Sequence, residues 1–162
     1  MTYYDREKLT HLDGTPVFAT TEDVRNEDEV ARLCENAWRC DLHRFGQLSA
    51  VDWYATRVGR MVGVLELKSR THESHRYPTV FLNVRKWLAL QLAATGLGLP
   101  ALFVVRFTDG VRWIRLADVN ARAVRIGGTR HIVKSRSDVE PVIDIPISTL
   151  SILATHPRAK GA

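Results

Sequence analysis

Asp52, Glu66 and Lys68 are the residues of this 162-residue chain whose types and spacing could do chemistry together. Asp52 opens the segment Asp52-Trp53-Tyr54-Ala55-Thr56, and Glu66-Leu67-Lys68 closes the segment Met61 to Lys68. Both segments read as strands, and Arg57-Val58-Gly59-Arg60 is the turn candidate between them. A hairpin centred on Gly59 pairs positions whose numbers add to 118, which sets Asp52 across from Glu66. Paired positions share a sheet face and side chains alternate along a strand, so Lys68 joins them. Two carboxylates a few ångströms apart repel and take up protons unless a cation lies between them. Hard oxygen ligands with an incomplete shell are how proteins hold Mg²⁺, which keeps several waters and takes other ligands from a phosphate. A neighbouring lysine can orient an attacking water or stabilise charge developing on phosphorus.

The plainer reading makes Glu66 and Lys68 solvated positions of a half-buried hairpin. The run Val62-Gly63-Val64-Leu65 argues against it, because a continuous apolar run marks a strand covered on both faces. Charges at the end of such a strand are costly to bury without a partner or a metal.

Asp52, thirteen intervening residues and Glu66-Leu67-Lys68 resemble the motif of the PD-(D/E)xK nuclease superfamily, with Val51 where the motif carries proline. The resemblance implies an α/β (mixed α+β) fold with a restriction-endonuclease-like core over about residues 24–117. Its central mixed sheet would be flanked by helices; beyond that core the residues themselves read as a C-terminal β extension over about 118–154, and the chain length suits one domain. The resemblance also implies Mg²⁺, for which Mn²⁺ would substitute, held by Asp52, Glu66 and the carbonyl of Leu67. Lys68 would orient the water, and a glutamate on the first helix, Glu29, would complete the shell. Glu35 is a second candidate for that place. The implied activity is DNA hydrolysis by a structure-selective or repair endonuclease, such as a junction resolvase acting as a homodimer. The alternatives are a non-catalytic nucleic-acid-binding module with this fold, or a structural or assembly protein. The intact Asp…Glu-x-Lys pattern speaks against the non-catalytic binding module, since drift would break it first.

Hydrophobic content of 45% and charged content of 25% suit a globular chain, and the net charge of +5 suits a polyanionic partner. Cys34 and Cys40 fall on one predicted helix, too far apart for a disulfide, which fits a reducing cytoplasm. The start MTYYDREKLT has no apolar signal core, and no apolar run approaches membrane-span length, so no membrane partner is expected. From Asn26, the residues Val30, Leu33, Cys34, Ala37 and Trp38 follow helical spacing. Glu29 here has a second possible role, as the reach-back partner of Asn26 in a capping box. Cys34, Cys40 and His43 match no common zinc spacing. Phe45-Gly46 closes the helical region, and Gln47 to Val51 begins the sheet.

Beyond Lys68 lies a polar loop, Ser69 to Pro78, whose Arg70 and Arg76 are candidates for phosphate, with His72 and His75 beside them. A second helix is expected over Val80 to Thr95, closed by Gly96, with Phe81, Val84, Leu88, Leu92 and Thr95 as its apolar face. Lys86 on that helix is either a solvated lysine or, by the resemblance, a contact to DNA backbone. RecB-like members of the superfamily carry a Gln-x-x-x-Tyr element here. Gln91 is present but Thr95 replaces the tyrosine, which keeps the chain out of that branch. Ala101 to Phe107 reads as a buried strand that turns at Asp109-Gly110 and returns through Val111 to Leu116. Trp113 on the return strand fits core packing better than a basic-aromatic surface with Arg112. Ala121 to Ile126 and His131 to Lys134 read as a further hairpin. Its Arg122, Arg125, Arg130 and Lys134, followed by Arg136, suit either a solvated face or a phosphate track. Val142 to Ile147 is expected as a final strand and Ser148 to Leu153 as a helical turn.

Overall fold

The computed structural model describes residues 21–46, 49–122, 124–128 and 139–155. The first helix, α1 (Thr21–Trp38), buries Val30, Ala31 and Cys34 on one stripe. It stops at Arg39, whose φ of 51° is left-handed, and its last carbonyls find a donor from outside. Arg57 donates from Nη2 to the Trp38 carbonyl (2.8 Å) and from Nε to the Arg39 carbonyl (3.2 Å). A cation here also suits the negative end of the helix. Glu35 accepts from the Leu42 amide at 2.8 Å, tying the helix end to β1 (Asp41–Arg44). The sheet therefore begins several residues before the expected Gln47. The Cys34 thiol is pushed up to about 12 by burial first and then by Cys40 and Glu35, as suits an inert core cysteine. Cys40 lies beyond the helix rather than on it.

Strand β1 pairs antiparallel with β2 (Trp53–Arg57), and β2 with β3 (Arg60–Ser69). A second helix, α2 (Val84–Leu97), carries the chain across to β5 (Ala101–Phe107), which lies parallel to β3. Gly98 caps this helix at φ 64°, and the Leu99 amide returns to the Ala94 carbonyl. Strand β6 (Gly110–Arg115) folds back on β5 through Thr108 and Asp109, one residue earlier than the expected Asp109-Gly110 turn. Gly110 itself is paired, and a Cβ there would meet the Ala154 carbonyl at 2.3 Å, because β9 (Ser151–Thr155) crosses closely. The order across this mixed six-stranded sheet is β1-β2-β3-β5-β6-β9. Three further strands, β4 (Thr79–Asn83), β8 (Val139–Pro146) and β7 (Val124–Gly128), form a separate antiparallel sheet in the order β4-β8-β7.

Each face of the large sheet has its own cover. Leu65, Leu67, Trp53, Ala55, Val104 and Val111 pack with α1. Val64, Phe103, Val105 and Phe107 pack with Leu90 of α2 and with Val80, Leu82, Ile143 and Ile145 of the small sheet. No helix among the described residues is long and apolar enough to cross a membrane.

Three local expectations are corrected here. Residues 79–83 are a strand, not the first turn of the second helix, because Val80 and Leu82 alternate with outward neighbours. The apolar face of α2 is therefore shifted: Leu90 is buried and Trp87 half-buried, while Leu88 and Leu92 are exposed. The last segment is not a helical turn throughout, since a single 3-10 turn at Ile147–Thr149 leads into edge strand β9. Strand β7 pairs with β8, while the expected return strand at 131–134 lies outside the described residues.

Candidate active site

The hairpin register decides whether Asp52 and Glu66 can meet. Val58 and Gly59 both have positive φ, 50° and 71°, and form a two-residue turn. Next to it Arg57 pairs with Arg60 and Thr56 with Met61, positions whose numbers add to 117. Continued to the far end, that register would set Asp52 across from Leu65 and on the wrong face. Between Thr56 and Ala55 the register shifts. Val62 is the extra residue of the bulge, and Ala55 pairs with Gly63, Tyr54 with Val64 and Trp53 with Leu65. These pairs add to 118, so Asp52, one residue before β2, continues onto the Glu66 face. The Phe45 amide, donating to the Asp52 carbonyl at 2.9 Å, holds that position on its other side.

Glu66 is 4% exposed and Asp52 lies at the rim, its side chain 34% exposed. The Lys86 ammonium reaches both, bonding to Asp52 Oδ1 and standing 3.2 Å from Glu66 Oε2. Glu66 Oε2 has no hydrogen-bond donor aimed at it; the ammonium is near enough for an ion pair but off the bonding direction. Burial first, then the hydrogen bond and charge of Asp52, push the Glu66 carboxyl up to about 8 against the pull of Lys86 and Lys68. At Asp52 burial acts upward too, but the proton shared from Glu66 and the charges of Lys86 and Lys68 outweigh it, so its pKa is lowered. Lys68, half-buried on the same face, is pulled down by burial and then by Arg70, against Glu66 and Asp52. Lys86 is also opposed by burial, yet the two carboxylates raise its pKa.

This is a cation site in its chemistry. Two hard carboxylate oxygens converge, one of them buried without a donor, and a positive group already lies between them. Among the described residues no group of three or more His, Cys, Asp or Glu side chains converges on one point. Two carboxylates with a main-chain carbonyl is a sparse set, and Mg²⁺ is commonly held by one or two carboxylates, with water and phosphate filling the rest. The residues present fit such an ion.

The other predicted residues are placed as follows. Glu29 points to the α1 side, its carboxylate 3.4 Å from Arg106 Nη2, and it does not join Asp52 and Glu66. Arg106 pairs with Ser69 in the parallel ladder and so shares the face opposite Lys68. Glu29 as a metal ligand is thus corrected: α1 covers the Leu65–Leu67 face, and Glu66 looks the other way. Glu35 is engaged with the Leu42 amide. Arg70 is close to the site, its guanidinium 4.6 Å from the Phe81 ring centroid, and burial lowers its pKa. Arg76 is exposed beside Tyr77. The loop that carries it is anchored: Asp109 accepts from the Ser74 amide (2.8 Å) and hydroxyl (2.6 Å), and the Thr108 amide donates to the His72 carbonyl. Lys86 is not the solvated lysine of the plainer reading, since its ammonium lies against Asp52 and Glu66. It stands four residues before Leu90, on the buried face of α2, a spacing that would have revealed it had the strand–helix boundary been read at Asn83. Arg122 is exposed, whereas Arg125 is held by Asp144 through Nε and through Nη2 at 2.9 Å. Arg130, Lys134 and Arg136 lie outside the described residues. His43 stacks on Tyr54 and bonds to Thr56 Oγ1, away from any metal role with the cysteines.

A family model described as "Phage putative PDDEXK endonuclease" matches residues 14–153. Among solved structures the chain is similar to Archaeoglobus fulgidus Hjc, a Holliday junction resolvase from an archaeal hyperthermophile, with a TM-score of 0.51. The two are 14% identical, and the likeness covers 80% of this chain and 87% of that one. No curated protein matches the chain.

Proposed function

Because the chain belongs to the phage PDDEXK endonuclease family, we propose that it hydrolyses DNA phosphodiesters with Mg²⁺ at Asp52 and Glu66. The observation that carries this reading is the buried Glu66 carboxylate, set by the Val62 bulge on the face of Asp52, with a cation between them. Asp52, Glu66 and the Leu67 carbonyl would hold the ion. When bound, it would supply Lewis-acid activation of the scissile phosphate and of a water.

The chain's own residues have separable tasks. Burial and the neighbouring Asp52 make Glu66 hold a proton more tightly than a free carboxyl, and any proton it carries must leave for it to act as a ligand. Lys68 touches the same face without offering a ligand. Its lowered pKa suits an amine that holds the attacking water and stabilises charge growing on the phosphoryl oxygens. Arg70, stacked on Phe81, is placed to bind phosphate beside it. Arg76 and Arg122 extend the positive surface outward.

Branched DNA is the substrate proposed. The net charge of +5 favours a polyanion, and Hjc, of the same fold, is described as a junction resolvase. Two symmetric cuts in a junction need two sites, so a homodimer is the proposed acting unit. The test is cleavage of a four-way junction and of linear duplex with Mg²⁺, by wild type, Asp52→Asn and Glu66→Gln. Junction cleavage by wild type that both variants lose is expected. Cleavage by Glu66→Gln at the wild-type rate would refute the assignment.

A further inference from the structure

We infer that Lys86 is an internal counter-ion that competes with the metal for Asp52 and Glu66, and so couples metal binding to DNA binding. The inference rests on the metal-nuclease reading above. The ammonium contacts one oxygen of each carboxylate, the oxygens a hard cation would take. Two cations do not share those oxygens at such range without strong repulsion, so Lys86 has to withdraw as an ion binds. Lysine is built for this. Its ammonium is a point charge on a flexible stem, and α2 brings it from an element separate from the strands that carry the acids. The side chain is only 23% exposed, so on leaving the carboxylates it needs another anion nearby. The first turn of α2 has no acidic residue to receive it, and the acid next to that turn, Glu140, is already engaged by Asn83 and lies 4.0 Å from Arg85. A DNA phosphate entering beside Arg70 is an anion that meets the need. DNA then draws Lys86 off the carboxylates and strengthens metal binding, and by linkage the metal strengthens DNA binding equally.

The experiment titrates Ca²⁺ calorimetrically into wild type, Lys86→Met, Lys86→Arg and Arg85→Met, each with and without a four-way junction. Ca²⁺ is the probe because it reports binding without turnover. Wild type is expected to bind Ca²⁺ at least tenfold more tightly with DNA present. Lys86→Met without DNA should bind Ca²⁺ about tenfold or more tightly than wild type, with less than threefold further gain from DNA. Arg85→Met removes the same charge one residue away and should change Ca²⁺ affinity less than threefold. Lys86→Arg keeps the charge and holds two carboxylates more firmly, so its affinity should equal or fall below that of wild type. That variant also provides a reading should Lys86→Met fail to fold. Equal or weaker Ca²⁺ binding by Lys86→Met, or tighter binding by Lys86→Arg, overturns the proposal while leaving the metal site intact. No Ca²⁺ binding by wild type or any variant, with or without DNA, overturns the metal reading and this proposal with it.

Discussion

Replacing Glu66 by glutamine should make the metal-free protein more stable at alkaline pH, even as it destroys the site. The folded-state carboxyl is pushed up to about 8 from 4.5. Between those values the folded protein keeps a proton that the unfolded chain has released. The unfolded state therefore binds fewer protons, and stability falls as pH rises. It is full below about 4.5, declines through the interval, and levels off above about 8. A pKa unit corresponds to about 1.4 kcal/mol, so the interval corresponds to at most about 5 kcal/mol. Asp52 and Lys86 share this titration and soften it, which puts the expected loss at about 2–5 kcal/mol. Glutamine fills the same volume, donates a hydrogen bond to Asp52, and has no proton to lose. The assay is urea denaturation in a chelator at pH 5.5, 7 and 9. Wild type should weaken across the series while Glu66→Gln stays level by comparison. Parallel pH dependence in the two proteins would refute the buried, proton-sharing pair. Added Mg²⁺ should reverse the order at pH 9, stabilising wild type and not the variant.

Two further outcomes are expected. Lys68→Ala should lower the cleavage rate on the order of 100- to 1000-fold while leaving Ca²⁺-supported DNA binding near wild type, because in the proposed mechanism the amine acts in the transition state. Cleavage and binding assays run side by side would check this. Arg122→Ala should flatten the log-affinity against log-salt line by about 0.9 for a duplex contact, whereas Arg125→Ala should change it less, since that guanidinium already neutralises Asp144.

The strand of the candidate site is legible because alternation and a turn glycine suffice to put Asp52, Glu66 and Lys68 on one face. The turn at Val58-Gly59 and the bulge at Val62 were not read separately, though together they give the register that a hairpin centred on Gly59 anticipates. The place of Lys86 beside the acids is hidden in the sequence because Thr79–Asn83 and the helix after it form one apolar run, in which a period of two passes into a period of 3.6 without a break. Glu29 was misjudged because helical spacing gives the stripe of α1 but not which sheet face the stripe covers. The edge strand β9 was invisible for a different reason. Its partner β6 is some forty residues earlier, and Ser151–Thr155 carries little apolar alternation of its own.

The Val62 bulge makes the hairpin a parity device. Each residue added to or removed from one side of the tip, where no bulge opens or closes to absorb it, turns every side chain beyond it to the opposite face. Deleting Val62 would close the bulge and leave Asp52 across from Glu66, whereas one residue inserted in β3 beyond the bulge would pair Asp52 with Leu65 and carry it to the α1 side. Paired changes, one residue on each strand, would restore the face and alter only the length of the tip. Insertions in β3 that retain cleavage are thus expected in even steps or with a second bulge, whereas loss of the single residue at Val62 is compatible with the chemistry.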